Sequence, residues 1–346
     1  MEHSPDLVPG VLVLVTGATG AIGPGVVAEL LRSGYRVRTL ALVGTVSSLP
    51  PEVESRWGDI TDPIAVAAAV DGAAAVVHLA ARLHLAGPPS RDIEAYKHVN
   101  VRGTATVVEA ATQAGVRRVV YASTISVYGP SRGTAATEAA PLDPDTPYAV
   151  TKLAAEDIVR GARRDDATPM GTVLRLAAVY GPKVKGNYRA LVKALAAGRF
   201  FPIGNGNNRR TLIHERDVAR AIVHVLESPQ AAGRTYNVTD GQVHTTDDIV
   251  RAICGALGRR PPRLHIPAGP AFALASAFDT LTGLVGLDSN PFHDRLKRYT
   301  EDVAVDGSLI VRETGFTPMF QLDDGWKDVI RGMEAAGDVG GAVRNS

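Results

Sequence analysis

The chain of 346 residues carries a single cysteine, Cys254, which excludes a disulfide framework and any metal site built from several thiolates. One cysteine fits a reducing compartment, and the expected location is cytoplasmic. An excess of either charge is also missing: 37 basic and 36 acidic residues leave a formal net charge of +1. Lys and Arg are scattered with no basic stripe, so no nucleic-acid partner is expected. The start, Met1-Glu2-His3-Ser4-Pro5-Asp6, has no basic segment followed by an apolar one, and reads as no signal peptide. Repeats and low-complexity tracts are absent. One stretch, Ala268 to Leu287, is mostly apolar, but it contains Pro270, Asp279, Thr280, Thr282, Gly283 and Gly286. A charge near mid-bilayer is costly, so a buried or amphipathic helix is expected there and no membrane span. Contact with a membrane surface or a partner is the alternative.

What is present is an alternation of strand-like and helix-like runs over the first two-thirds, the pattern of a parallel sheet. Strands read at Val11–Val15, Tyr35–Leu40, Glu54–Trp57, Ala75–Leu79, Arg118–Ala122, Thr172–Leu176 and Thr235–Val238. Helices read at Ile22–Arg32, Ile64–Ala69, Val99–Ala114 and Pro147–Arg164. Runs such as Ala75-Val76-Val77-His78-Leu79 do not alternate, as expected of strands buried on both faces. His78 accordingly reads as a core residue and not a ligand. After Tyr180-Gly181-Pro182 the rhythm breaks into turns and isolated helices, which implies a second lobe over the sheet's C-terminal edge.

The first strand runs into Thr16-Gly17-Ala18-Thr19-Gly20-Ala21-Ile22-Gly23 and then into a helix. Strand, glycine-rich turn and helix in that order form a cradle for a dinucleotide pyrophosphate, because the helix points its N-terminal N–H groups at the anion. Gly17 permits the turn, Gly20 the approach of the backbone to phosphate, and Gly23 close packing of helix on strand. The spacing is G-x-x-G-x-x-G, and the alternative is a glycine turn with no ligand.

Tyr148 and Lys152 stand at i and i+4 on one helical face, in a helix that follows the fifth strand. That strand ends in Tyr121-Ala122-Ser123-Thr124, with two hydroxyls at the edge where ligands bind. A tyrosine of pKa about 10 is a poor base at neutral pH. A nearby lysine and an oxidised nicotinamide, both cationic, favour the phenolate. Reaching neutrality takes about 4 kcal/mol of differential interaction. Thr124 is placed to hydrogen-bond a substrate oxygen, or else it is an ordinary strand-end hydroxyl.

These motifs, with Gly58-Asp59-Ile60-Thr61-Asp62, His78-Leu79-Ala80-Ala81, Asn100-Val101-Arg102-Gly103-Thr104, Arg175…Tyr180-Gly181-Pro182 and Asp217-Val218-Ala219, make the chain resemble a known family. It is similar to the extended short-chain dehydrogenase/reductase superfamily, the NAD-dependent epimerase/dehydratase family, to about Arg331. The resemblance implies an α/β fold: a Rossmann-type doubly wound parallel sheet with a smaller C-terminal substrate lobe. Residues 1–180 would form the nucleotide-binding domain, with a segment near 212–240 returning to it. Residues 181–211 and 241–336 would form the lobe, and 337–346 a disordered tail.

Carried over residue by residue, Gly17, Gly20, Ala21, Ile22 and Gly23 would hold the pyrophosphate. Asp59 and Ile60 would flank the adenine, and Ala80 and Ala81 would line the path to the nicotinamide. Thr124, Tyr148 and Lys152 would be catalytic, with Tyr148 as acid/base and Lys152 also holding the ribose. Ser123 joins Thr124 as a substrate contact. Asn100 would support the site or cap a helix. No metal ligand set is implied. NAD is the expected cofactor, with NADP left open, because the second strand ends in Ala41-Leu42 without an acid and Arg38 lies mid-strand.

The run Lys185-Gly186-Asn187-Tyr188, with Gly204-Asn205-Gly206-Asn207-Asn208-Arg209-Arg210-Thr211-Leu212-Ile213-His214, resembles members that act on nucleotide-diphosphate sugars. Asn187 and Arg210 stand where those members contact the sugar nucleotide, Arg210 at its diphosphate. Arg295 or Arg298 is a further candidate for phosphate. Ala178 departs from the pattern, since many such members carry asparagine there. The run after Thr124, Ile125-Ser126-Val127, lacks the Asp-Glu pair of the family's dehydratases, which disfavours dehydration. The expectation is a 4-epimerase of a UDP-hexose or UDP-N-acetylhexosamine. The alternatives are a 4-keto-sugar reductase, a steroid- or flavonol-type dehydrogenase, and a non-catalytic NAD(P) sensor. A homodimer through the helices Val99–Ala114 and Pro147–Arg164 is also expected.

Overall fold

The computed structural model describes residues 7–45, 49–83, 93–130, 133–184, 186–284, 296 and 299–339. Its strands are β1 (Leu12–Thr16), β2 (Arg36–Ala41), β3 (Glu54–Trp57), β4 (Ala75–His78), β5 (Arg118–Thr124) and β6 (Gly171–Leu176). There follow β7 (Ala178–Tyr180), β8 (Arg209–Arg210), β9 (Leu212–His214), β10 (Thr235–Val238) and β11 (His244–Thr245). The helices are α1 (Gly23–Arg32), α2 (Pro63–Val70), α3 (Ile93–Tyr96), α4 (Gly103–Gln113), α5 (Pro147–Gly161) and α6 (Asn187–Ala196). After these come α7 (Glu215–Glu227), α8 (Thr246–Ala256), α9 (Ala268–Leu284), α10 (Ser308–Thr314) and α11 (Leu322–Ala335).

Seven strands form one parallel sheet in the order β3-β2-β1-β4-β5-β6-β10. This is the doubly wound arrangement expected, and the order reverses between β1 and β4, where such sheets open a ligand crevice. One face is sealed by α1 and α7 through Val26, Leu30, Val218 and Ile222. The other face is sealed by α2, α4 and α5 through Val66, Val70, Val107 and Val159. β1, β4 and β6 are buried along their whole length, which is why β1 and β4 read as mostly apolar runs without alternation.

Local chemistry starts the helices. Asp62 accepts from the Ile64 N–H at 2.9 Å, and Pro63 follows it as the first residue of α2. Thr146 accepts from the Ala149 N–H at 3.1 Å, and Pro147 opens α5 in the same way. Thr245 and Asp248 form a reciprocal capping box on α8.

A separate apolar cluster joins α6, α8 and α11 through Val192, Ile253, Trp326, Val329 and Met333. Its link to the sheet is the turn Tyr180-Gly181-Pro182, on which α11 sits closely. Tyr180 stacks on Trp326 at 4.7 Å between ring centres. A Cβ on Gly325 would lie 2.0 Å from Tyr180 Oη, and one on Gly332 would lie 2.5 Å from Pro182 Cβ. Gly325→Ala is therefore expected to cost about 1–3 kcal/mol by overpacking. Denaturant unfolding measures this, and an unchanged midpoint would mean that α11 can lift off the turn.

The apolar stretch from Ala268 does form a helix, α9, but not a buried one: Leu274 is 72% exposed. Among the described residues no helix is long and apolar enough to cross a membrane. Of the expected tail, Asp338 is described and pairs with Arg189 and Lys193, while 340–346 lie outside the described residues.

Candidate active site

The glycine turn closes against the end of β4. Gly17 has φ +71°, and a Cβ there would lie 2.6 Å from the Ala80 backbone nitrogen. No side chain fits between the two loops, so they meet backbone to backbone at the reversal of strand order. A Cβ on Gly23 would meet the Ala18 carbonyl oxygen at 2.3 Å, so this glycine lets α1 rise directly out of the turn. No side chain caps α1, while Gly20 and Ala21 are exposed. The cradle thus has bare backbone where a pyrophosphate needs it, and the residues present fit a dinucleotide.

Below the turn, His78 is fully buried and links three elements. Its Nδ1 lies 2.6 Å from Thr16 Oγ1 in β1, and its Nε2 lies 3.0 Å from Thr104 Oγ1 in α4. Burial first, then the nearby Lys152, pushes its pKa down to about 3, so it is a neutral polar clamp. Asn100 is not a helix cap. It sits inside a π-helical turn, Lys97–Arg102, that precedes α4. Its side-chain carbonyl accepts from the Arg82 N–H at 2.7 Å, and its amide donates to Thr151 in α5 at 3.1 Å. One asparagine therefore ties the chain just past Ala81 to the helix that carries Tyr148.

Lys152 is 2% exposed, donates to the Ala122 carbonyl oxygen at 2.5 Å, and lies 4.0 Å from the Tyr121 ring centre. Burial pushes its pKa down to about 7, partly offset by Glu156. Tyr148, one turn earlier, is half-buried, and burial together with Tyr96 raises its phenol above the ordinary value. The Lys152 ammonium, held at Ala122 and over the Tyr121 ring, stands one helical turn from this phenol. Thr124 ends β5 half-buried, and its hydroxyl accepts from the Ser126 N–H at 3.2 Å as the cap of a short 3-10 turn, Ile125–Tyr128. Its second contact is to Ser126 Oγ at 3.1 Å.

Ser123, expected at the substrate, faces elsewhere. It is 4% exposed, and its hydroxyl donates to Glu156, one turn beyond Lys152. Glu156 and Arg175 form a buried pair at 2.7 Å, with side chains 0% and 2% exposed. Arg175 also donates to Tyr128 Oη at 2.8 Å, which in turn donates to Asn237 Oδ1 at 2.8 Å. The network welds β5, α5, β6 and β10 beneath the site. In the sequence Arg175 stands without an evident partner. The signal was available, because Glu156 repeats the Tyr148–Lys152 spacing once more.

Arg38 proves unavailable to a ligand. It is 9% exposed, donates to Glu54 at 2.9 Å and to the Ala69 carbonyl oxygen at 2.9 Å, and ends among the last carbonyls of α2. Asp59 is exposed after β3 and accepts from the Thr61 N–H at 2.8 Å. Ile60 is buried against Gly103, where a Cβ would lie 2.6 Å from its Cδ1. Ala80 and Ala81 are half-buried past the end of β4.

Asn187 is exposed at the start of α6, beside Tyr180 and Gly181. Arg210 is half-buried in β8 and donates to the Tyr299 carbonyl oxygen at 2.9 Å. Ala178 opens β7, which pairs with β9. Lys185, Arg295 and Arg298 lie outside the described residues.

Residues 13–239 match the model of the NAD dependent epimerase/dehydratase family. The chain is similar to the N-acetyl-alpha-D-glucosaminyl-diphospho-ditrans,octacis-undecaprenol 4-epimerase of Escherichia coli O157:H7. The two are 26% identical over 314 residues, 90% of this chain and 92% of that one. Similarity to the UDP-glucose 4-epimerase of Vibrio cholerae is 29% identity over 293 residues, 80% of this chain and 87% of that protein. A solved structure, MoeE5 in complex with UDP-glucuronic acid and NAD, is 28% identical with a TM-score of 0.73, covering 94% and 99% of the two chains. The sheet order, the bare glycine cradle and these matches agree: the chain belongs to the NAD dependent epimerase/dehydratase family and is an NAD-dependent enzyme of the extended short-chain dehydrogenase/reductase type.

Proposed function

We propose that the protein is a nucleotide-sugar 4-epimerase that inverts C4 of a UDP-hexose or UDP-N-acetylhexosamine through a transient 4-keto sugar. The observation that carries this reading is the placement of Thr124, Tyr148 and Lys152 at the carboxyl edge of β5, across the strand-order reversal from the glycine cradle. NAD, when bound, supplies a two-electron acceptor and a positive charge beside the phenol. Gly17, Gly20, Ala21, Ile22 and Gly23 would hold its pyrophosphate, Asp59 and Ile60 its adenosine end, and Ala80 and Ala81 the path to the nicotinamide.

Tyr148 would take the proton of the sugar's 4-hydroxyl and give it back, and Thr124 would hold the same oxygen. Lys152, fixed by Ala122, would hold the nicotinamide ribose and keep positive charge near the phenol. Asn187 and Arg210 would bind the sugar nucleotide, with Arg210's fork of donors meeting the diphosphate. The homodimer belongs to the same reading. Val101, Ala105 and Thr112 are half-exposed and Val150 is 38% exposed, whereas Val108 and Ala111 pack into the chain's own core.

Because Arg38 is consumed by Glu54 and by α2, NADP is expected to bind about tenfold or more weakly than NAD, the worth of one charge-assisted hydrogen bond. Fluorescence titration with the two cofactors checks it, and equal affinities would show that another cation meets the 2′-phosphate. The test of the function is incubation with UDP-glucose and UDP-N-acetylglucosamine without added cofactor, following C4 stereochemistry. Conversion to the galacto epimer is the predicted result. No conversion, even with NAD added, would overturn the proposal, and consumption of bulk NAD(P)H with a 4-keto sugar would replace it with a reductase.

A further inference from the structure

The helix α9 is unusual for an exposed helix in having almost no charge: Asp279 is the one ionisable residue among its 17. Water-facing helices carry charges on their outer face, and this one presents Ala273, Leu274, Ser276 and Ala277 instead. Just before it, the segment Arg259 to Ile266 runs beside the segment Arg199 to Gly204. Ile203 bridges Ile266, and the Ile266 N–H donates to the Pro202 carbonyl oxygen at 2.8 Å. The two segments together expose Phe201 at 52%, Leu264 at 74% and Ile266 at 40%, and α9 adds Leu274 at 72%. Scattered singly, such residues would need no explanation, but here they follow one another across a bridged pair of loops and the helix that leaves it.

Around this apolar strip stand Arg199, Arg259, Arg260 and Arg263, all exposed. Acids in the same region are engaged elsewhere: Asp338 with Arg189 and Lys193, Asp248 with Arg251, Asp247 with His265. Among the described residues none of the four arginines forms an ion pair. A strip of exposed leucine, isoleucine and phenylalanine rimmed by exposed arginines matches an apolar layer beneath negatively charged headgroups. A protein partner would need the apolar strip but not the rim.

We infer that α9 and the Arg259–Ile266 segment dock the enzyme on an anionic bilayer surface, α9 lying in the plane of the interface. Leu264, Ile266 and Leu274 enter the acyl boundary, and the arginines meet the headgroups. The inference does not depend on which sugar is epimerised.

The experiment is co-sedimentation of the NAD-loaded full chain with vesicles of phosphatidylglycerol and phosphatidylcholine in equal parts, and with phosphatidylcholine alone. Binding to the mixed vesicles and release by salt are expected. Replacing three arginines together (Arg259→Gln, Arg260→Gln, Arg263→Gln) should lower the partition coefficient about a hundredfold. The pair Leu264→Asp and Leu274→Asp should abolish sedimentation, while unchanged NAD binding shows that both variants are folded. Absence of the wild type from the mixed-vesicle pellet would overturn the inference, as would sedimentation that neither variant alters. A dimer that Leu274→Asp splits, in a protein that ignores vesicles, would also overturn it and assign the face to a second copy.

Discussion

Tyr148→Phe should lower kcat by about a thousandfold while leaving NAD affinity within a few-fold of the wild type, the usual worth of one general acid/base. The substitution removes a single oxygen from a half-buried ring and leaves its apolar body in place, so the pocket keeps its shape. Among the described residues, the other two candidate groups at the edge of β5 are already engaged. Thr124 is held by the Ser126 backbone N–H, and Lys152 is held by Ala122. Because burial raises the Tyr148 phenol, the tyrosine stays protonated until positive charge from Lys152 and bound NAD offsets that burial. Steady-state rates and a cofactor titration on one preparation separate loss of chemistry from loss of binding. A variant that keeps more than a tenth of the rate would remove Tyr148 from the role of acid/base.

Arg175→Met should destabilise the fold by about 3–5 kcal/mol, because it leaves the Glu156 carboxylate buried without its partner. The pair lies under the site, and Glu156 also accepts from Ser123, so the cost is structural and precedes any effect on chemistry. The double variant Glu156→Met, Arg175→Met should recover most of that loss, since removing both charges removes the desolvation penalty with the attraction. Denaturant unfolding of the two single variants and the double gives the coupling directly. Additive losses would mean that the pair is not coupled and that each side chain matters for its packing.

The sheet was legible because burial on both faces leaves apolar runs that no other element explains; all seven expected strands appear within about two residues of their expected ends. The site's frame was legible for a related reason: the glycines and the Tyr–Lys spacing are local features of one turn and one helix. Long-range pairing was not legible. Arg38 has the right charge but lies mid-strand, and only β3 shows Glu54 beside it; Ser123, expected at the substrate, meets Glu156 of α5. The π-helical turn at Lys97–Arg102 overlaps the start of the expected helix Val99–Ala114 and was not legible, since one extra residue scarcely disturbs an apolar period. In α9 the expected helix is present, but its apolar composition does not tell which side is covered: Ala271 is buried while Leu274 is exposed.

Under the proposed epimerisation, the hydrogen taken from C4 returns to the opposite face of the same sugar. A UDP-hexose carrying deuterium at C4, incubated with the enzyme and no added cofactor, checks this by NMR of the product. The expected product is a 4-epimer that keeps its deuterium at C4. Epimer in which solvent hydrogen has replaced the label would contradict it, because inversion would then proceed by proton loss from carbon and not by hydride transfer.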